Sequence, residues 1–355
     1  MHNKKSLEIF FFALHIYQFS NALPLYKKIG GKYICRDLKR FFQLKTHLRN
    51  LNATPETKTF LNTPASIIKS KKNLANLNGI IISLSNTVLN YDAQKCKSIF
   101  IGHGTGDKPY GGSVKSLETY DYHFISGKKH LEKLHDSNVD IHQDKLIKIG
   151  NLRFDDYVNG LFDREVESDR LGIVDRSRQN ILYAPTWSWG DGTLQKYVYK
   201  FSRELTKKYN LIVRPHYQDS NQINKIEKWA KKNKIAHVYF SNPAALLKSD
   251  TMADFAISDI LISDTSSILY EYLITGNPII VAVNEYKNLH NMPDELDIMQ
   301  HVPLFSGKES IVDLVDNTMD DETYREKLKK LLESCFYFND GRSVDRAINF
   351  IESNF

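Results

Sequence analysis

Residues 260–283 read ILISDTSSILYEYLITGNPIIVAV. The stretch opens on an apolar run, 260–264, short enough to be a buried strand. A polar cluster follows at 263–267. Ile268, Leu269, Tyr272 and Leu273 then recur at helical spacing, Gly276 stops the helix, and Pro278 lies just beyond it. A second apolar run, 278–283, closes the segment. Strand, helix and strand in this order make a βα unit of a parallel sheet.

The same rhythm continues on both sides. Strands are expected at 180–185, 211–216 and 237–241, and earlier at 8–16, 32–36, 79–85, 98–102, 122–127 and 146–151. Helix-like pieces such as NALPLYKKIG (21–30) and KKHLEKLHD (128–136) lie between strands. Residues 160–179 are charged and poorly periodic and read as a linker. The expected class is α/β, with two Rossmann-like, doubly wound domains facing a cleft. The first covers 1–160, followed by a linker over 161–179. The second covers 180–340. A C-terminal helix over 341–355 packs back toward the first domain, with Val344, Ala347, Ile348 and Ile351 on one face.

Bulk composition narrows the classes of function. The 355 residues suit two domains, and 41% hydrophobic with 25% charged residues is ordinary for a globular chain. The net charge is +6, from 48 basic and 42 acidic residues that are spread rather than massed, which argues against nucleic acid. Short basic clusters, KSKKN (69–73) and WAKKNK (229–234), read first as solvated faces, with a weak contact to an anionic membrane as the sharper reading. Three scattered cysteines, Cys35, Cys96 and Cys335, show no CxxC spacing and fit a reducing compartment without a disulfide framework or metal site. The N-terminal MHNKKSLEIFFFALHIY imitates a signal peptide, but Glu8 interrupts it and no cleavage signature follows. A cytoplasmic location follows, with the inner face of the plasma membrane left open. Oligomeric state is not legible.

The chemistry gathers where strands end, the edge at which open parallel sheets bind ligands. In SIFIGHGTGDKPYGG (98–112), Gly102 and Gly104 let the backbone turn and present His103 bare. A histidine so placed can take a proton from an attacking hydroxyl, or be polar surface only. Thr105 and Lys108 beside it can hold an anion. Arg214 and His216 lie on one side of an extended RPH and suit a diphosphate, or simply end a strand at the surface. Ser263, Asp264, Thr265, Ser266 and Ser267 precede a helix, where free N–H groups favour a phosphate. The plainer reading is that Ser263 or Asp264 caps that helix. Glu271, further along, would reach a ribose hydroxyl or be exposed. The chain carries no GxxxxGK[ST], GxSxG or HExxH.

The ordered set GHGTGDK (102–108), GNLRFDD (150–156), APTW (184–187), RPH (214–216), SDTSS (263–267) and FNDGRSVDR (338–346) resembles the CDP-glycerol glycerophosphotransferases, the teichoic-acid and capsule enzymes of GT-B fold. The resemblance covers roughly 95–350. It implies transfer of a polyol phosphate, glycerol phosphate first among them, from a CDP-activated donor to a hydroxyl of a glycan or lipid-linked glycan, with CMP leaving and no cofactor or metal required. It also implies an acceptor-side first domain and a nucleotide-donor-binding second domain, with His103 as general base, His216 steadying the diphosphate, 263–267 as the phosphate seat, and Arg346 on the phosphates. Two departures stand out. HGTPLK of the family is HGTGDK here, and RPHP ends in Tyr217. Two other classes remain: a GT-B glycosyltransferase or UDP-sugar epimerase using a nucleotide-sugar, and a non-catalytic nucleotide- or glycan-binding protein.

Overall fold

The structure is a computed structural model that describes residues 8–35, 37–51, 66–68, 71–245 and 250–355. The start of the signal-like stretch, 1–7, and residues 69 and 70 of the first basic cluster lie outside the described residues. In the other cluster, Lys231, Lys232 and Lys234 are exposed, a solvated face.

Among the described residues, thirteen strands form two sheets. The first holds β1 (Ile9–Phe12), β2 (Lys32–Cys35), β3 (Ser66–Ile68), β4 (Gly79–Ser83), β5 (Cys96–Phe100), β6 (Tyr122–Ile125) and β7 (Leu146–Lys148). The second holds β8 (Asn180–Tyr183), β9 (Asn210–Val213), β10 (Val238–Phe240), β11 (Ile260–Ser263), β12 (Ile279–Ala282) and β13 (Leu304–Phe305). Their orders are β3-β2-β1-β4-β5-β6-β7 and β10-β9-β8-β11-β12-β13. Every pairing is parallel. Renumbered within its own sheet, each begins 3-2-1-4-5-6, the doubly wound order whose direction reverses between its first and fourth strands. Those switch points are β1/β4 and β8/β11. The expected α/β class with two Rossmann-like units is borne out.

β1, β4, β8 and β11 are buried along their whole length, as strands covered on both faces must be. Phe10, Phe12, Ile81 and Phe100 anchor the first core, and Tyr183, Phe201, Ile262 and Phe305 the second. Each such side chain contributes about 1.5–3 kcal/mol by leaving water. The two short edge strands, β3 and β13, carry no periodic pattern and were not expected. Several expected strands end early. β1 stops at Phe12 and Ile16–Asn21 is a 3-10 turn, β5 ends at Phe100, and β9 ends at Val213, so RPH is loop.

The chain divides into two compact units. The first comprises Met1–Gly104, Tyr110–Asp155 and Tyr337–Phe355; the second comprises Thr105–Pro109 and Asp156–Phe336. The expected linker is corrected. Its middle is a helix, Arg164–Leu171, capped by Asp163, which accepts from Val166 N–H at 2.9 Å, and closed by Gly172 at φ 69°. Its charges are partnered within the second unit, Arg164 with Asp259 and Arg170 with Asp254, both at 2.9 Å. The helix Ser343–Asn354 belongs to the first unit. Asp155 accepts from the N–H groups of Ser343 at 3.0 Å and Val344 at 2.7 Å, and Phe350 packs edge-on against Tyr122 and Phe124. The first carboxylate of GNLRFDD, Asp155, is therefore a helix brace.

Candidate functional site

In the first unit, the ends of β1, β4 and β5 gather around His103. The glycines that flank it have φ of 68° at Gly102 and 152° at Gly104, values that side chains rarely adopt. Half-buried His103 has its Nδ1 at 2.6 Å from Leu84 O. A carbonyl only accepts, so Nδ1 carries the proton and Nε2 the lone pair. Gln18 Nε2 lies 3.2 and 3.3 Å from the two ring nitrogens. Gln18 Oε1 accepts from Ser85 Oγ–H at 2.6 Å and from His15 N–H at 3.1 Å. Burial pushes the His103 pKa down to about 4; the Leu84 carbonyl opposes this and the charges of Lys133 and His15 add to it. The ring is neutral at pH 7, with its basic nitrogen defined.

In the second unit, the loops after β8, β9 and β11 meet the short segment Thr105–Pro109. Asp264, fully buried, accepts from Thr186 N–H at 2.7 Å, Thr193 N–H at 2.8 Å and Thr193 Oγ1 at 2.9 Å. It braces the APTW loop and does not cap the helix. Burial raises its pKa, against those donors and Lys108. Ser263 Oγ donates to Ala184 O at 2.6 Å, a second brace. The helix itself, Ile268–Tyr272, is only five residues long and runs into a 3-10 turn. Thr265 Oγ1 accepts from Asn284 Nδ2 at 2.6 Å, while Ser266 and Ser267 are half-buried at the turn. Glu271 is 3% exposed, so the reading of it as a solvated residue fails.

The HGTGDK loop docks onto this turn. A Cβ on Gly106 would stand 2.8 Å from Ser267 N, so only glycine fits without a backbone shift. Asp107 accepts from Tyr270 Oη–H at 2.9 and 3.0 Å, and its carbonyl accepts from His290 N–H at 2.7 Å. Both departures from HGTPLK thus have internal partners. Lys108 Nζ donates to Thr186 Oγ1 at 2.8 Å and lies 4.9 Å over the Tyr286 ring. Burial lowers its pKa, against Asp264 and Asp191. Thr105 is 8% exposed, and its Oγ1 has no hydrogen-bond partner among the described residues.

His216 is the counterpart of His103 with the opposite tautomer. Its Nδ1 accepts from Gln218 N–H at 3.3 Å, which leaves the proton on Nε2. Burial pushes its pKa down to about 4; Asp219 opposes this, and Lys108 and Arg214 add to it. Trp187 lies 5.9 Å from its ring, and Trp189, 86% exposed, stacks on Trp187 at 6.3 Å.

Two expectations change. Arg214 Nη1 donates to Asp254 Oδ2 and to Ser241 Oγ, each at 2.8 Å, in a pair 7% and 0% exposed. It serves as a buried strut rather than as His216's partner on a phosphate. Arg346 pairs with Asp340 and lies 3.9 Å over the Phe338 ring, so its guanidinium is engaged within the FNDGR turn. Sequence reasoning missed Gln18, Leu84, Ser85, Thr193, Asp254 and Tyr270. Only the placement of 13–18 just after β1, at the switch point, pointed toward Gln18.

The family model for CDP-Glycerol:Poly(glycerophosphate) glycerophosphotransferase matches residues 93–353, more than half of the chain. The chain belongs to this family. It is 26% identical over 195 residues to the teichoic acid poly(glycerol phosphate) polymerase of Bacillus spizizenii W23, covering 51% of this chain and 46% of that one. It is 25% identical over 249 residues to the teichoic acid glycerol-phosphate primase of Bacillus subtilis 168, covering 67% and 59%. It thus spans about half the length of the curated relatives it matches. Among solved structures it resembles the wall teichoic acid polymerase TagF, with TM-score 0.70 and 16% identity over 98% of this chain and 88% of that one. It also resembles the UDP-GlcNAc 2-epimerase of Neisseria meningitidis, with TM-score 0.56 and 15% identity over 98% and 100%. Likeness at these identities shows the fold alone. The family match includes His103, His216 and 263–267, whereas Gln18, Leu84 and Ser85 precede it.

Proposed function

We propose that the chain transfers a polyol phosphate, glycerol phosphate in the first instance, from a CDP-activated donor to a hydroxyl of a cell-surface glycan or teichoic-acid-like acceptor. The observation that carries the reading is the lone pair left on His103 Nε2 by the Nδ1–H bond to Leu84 O, at a strand end within the family-matched segment. His103 Nε2 takes the proton of the acceptor hydroxyl as its oxygen attacks the phosphorus distal to the nucleoside. The bond from that phosphorus to the bridging oxygen breaks, a phosphodiester forms, and CMP departs with the bridging oxygen. His216 Nε2–H donates to the diphosphate as charge builds there. Ser266, Ser267 and Lys108 form its seat. Such transfer depends on positioning and charge stabilisation, and the reaction as written uses no cofactor. Lys39, Arg40 and Lys45 give the helix Leu38–Leu51 a basic character, and Leu38 and Phe42 are each 60% exposed on it. These features support peripheral contact with an anionic membrane.

Calorimetric titration with CDP-glycerol, CDP-ribitol, CDP, UDP and GDP tests the reading without an acceptor. Cytidine-selective binding, at least tenfold weaker in His216→Ala and indifferent to chelator, is the expected result. Preference for UDP or GDP would move the chain to the nucleotide-sugar enzymes, and no binding of any nucleotide would remove the donor.

A further inference from the structure

Gln18 lies in the 3-10 turn after β1, 85 residues from His103 and ahead of the family-matched segment, and is 3% exposed. Its amide is oriented by its partners. Oε1 accepts from two groups that can serve it as donors, Ser85 Oγ–H and His15 N–H, so the NH2 end faces His103. Ser85 Oγ in turn accepts from Leu14 N–H at 3.0 Å, which ties the bracket to the ends of both switch-point strands. Gln18 Nε2 is almost equidistant from the two imidazole nitrogens, at 3.2 and 3.3 Å. It therefore lies against the ring and not in line with the Nε2 lone pair. An N–H dipole aimed at an imidazole opposes a second proton on it and fixes the ring's attitude.

We infer that Gln18 is a positioning residue that holds His103 neutral, with Nδ1–H on Leu84 O and its Nε2 lone pair presented for the reaction. The inference rests on the reading of His103 as base. The other groups facing His103 are Lys133 from the helix Lys128–Asp136, and His15 and Tyr17 from the same turn as Gln18, with the Tyr17 ring edge-on at 6.3 Å. Lys133 and His15 also disfavour the imidazolium. Gln18 differs from them in that its replacement by Glu keeps the shape and reverses the sign of what the ring meets. A neighbouring carboxylate raises a histidine pKa, by about one to three units at such range.

The test is a long-range 15N NMR titration of the histidine-labelled full chain, with the His103 signals assigned by their loss in His103→Gln. In the native chain His103 is expected as the neutral Nδ1–H tautomer down to acid pH. In Gln18→Glu its titration should move up by at least one unit, and the acid limb of CMP release from CDP-glycerol should move with it. Gln18→Leu, which adds no charge, should lower kcat about tenfold with donor binding unchanged within twofold. It carries the test if the Glu variant does not fold. An unmoved His103 titration in a folded Gln18→Glu, or an unchanged kcat in Gln18→Leu, overturns the inference. Failure of the base reading would show separately, as full turnover in His103→Ala, while the titration still reports whether Gln18 governs the ring.

Discussion

The two switch points share a strand order and differ in what surrounds their histidines. At β1/β4, His103 meets a carbonyl and an amide held by a hydroxyl, with no carboxylate among the groups that shift its titration. At β8/β11, His216 lies in a charged setting, with Lys108, Arg214 and Asp219 all acting on it and Lys108 acting on Asp264 as well. The same fold edge thus makes two environments. One buries an imidazole between uncharged hydrogen-bond partners of fixed polarity, with Lys133 and His15 acting on it through charge. The other sets an imidazole among side chains of both signs, with Lys108 and Arg214 opposed by Asp219. The tautomers follow from the backbone: an acceptor carbonyl at Nδ1 in one case, a donor N–H in the other.

The sharpest break of this contrast is His103→Ala. It should lower CMP release by about 10³-fold, within the range for loss of a general base, while leaving calorimetric binding of CDP-glycerol within twofold. Loss of donor binding in that variant would place donor recognition in the first unit and reverse the comparison. Next is Asp254→Ala. It leaves the guanidinium of Arg214 buried without its carboxylate and should cost about 3–5 kcal/mol in urea unfolding. A change below about 1 kcal/mol would return Arg214 to a ligand role.

Acid should then separate the units. His123 and His130 of the first unit are 0% and 6% exposed, and burial pushes their pKa values down to about 4 and about 3. Their folded values lie below the unfolded value near 6.5, so the unfolded chain binds more protons as pH falls. Stability is therefore lost from about pH 6.5 downward, by about 1.4 kcal/mol per pH unit for each histidine. All three tryptophans, Trp187, Trp189 and Trp229, lie in the second unit. Far-UV circular dichroism should thus fall before tryptophan fluorescence changes, and coincident transitions would show that the units do not respond separately. The smallest effect is expected from Arg346→Ala. With the guanidinium held by Asp340 and Phe338, donor affinity should change less than threefold, and a tenfold loss in calorimetry would restore it to the phosphates.

Much of the fold was legible because its signals are local. Runs such as GIIIS and ILIS are largely apolar, which is what a strand covered on both faces requires, and Gly276 ends the helical segment after β11 in the left-handed conformation. The helix within 160–179 was hidden because it carries no periodic apolar face, and the ion pairs that tie it to the second unit reach residues 84 and 95 positions away. β3 and β13 were hidden by their length. Of the site, His103, His216 and the SDTSS turn could be located as polar groups at strand ends, but their roles could not be sorted.

The sequence by itself determined two parallel sheets, the edges at which chemistry collects, and kinship to one family, because periodicity and motif order are written along the chain. Only the tertiary structure decided which polar groups are braces and which are available to a substrate. Asp264 meets Thr186 across 78 residues, Arg214 meets Asp254 across 40, and Gln18 meets His103 across 85. A buried polar atom must find its partner wherever packing brings one, and no local pattern records that choice.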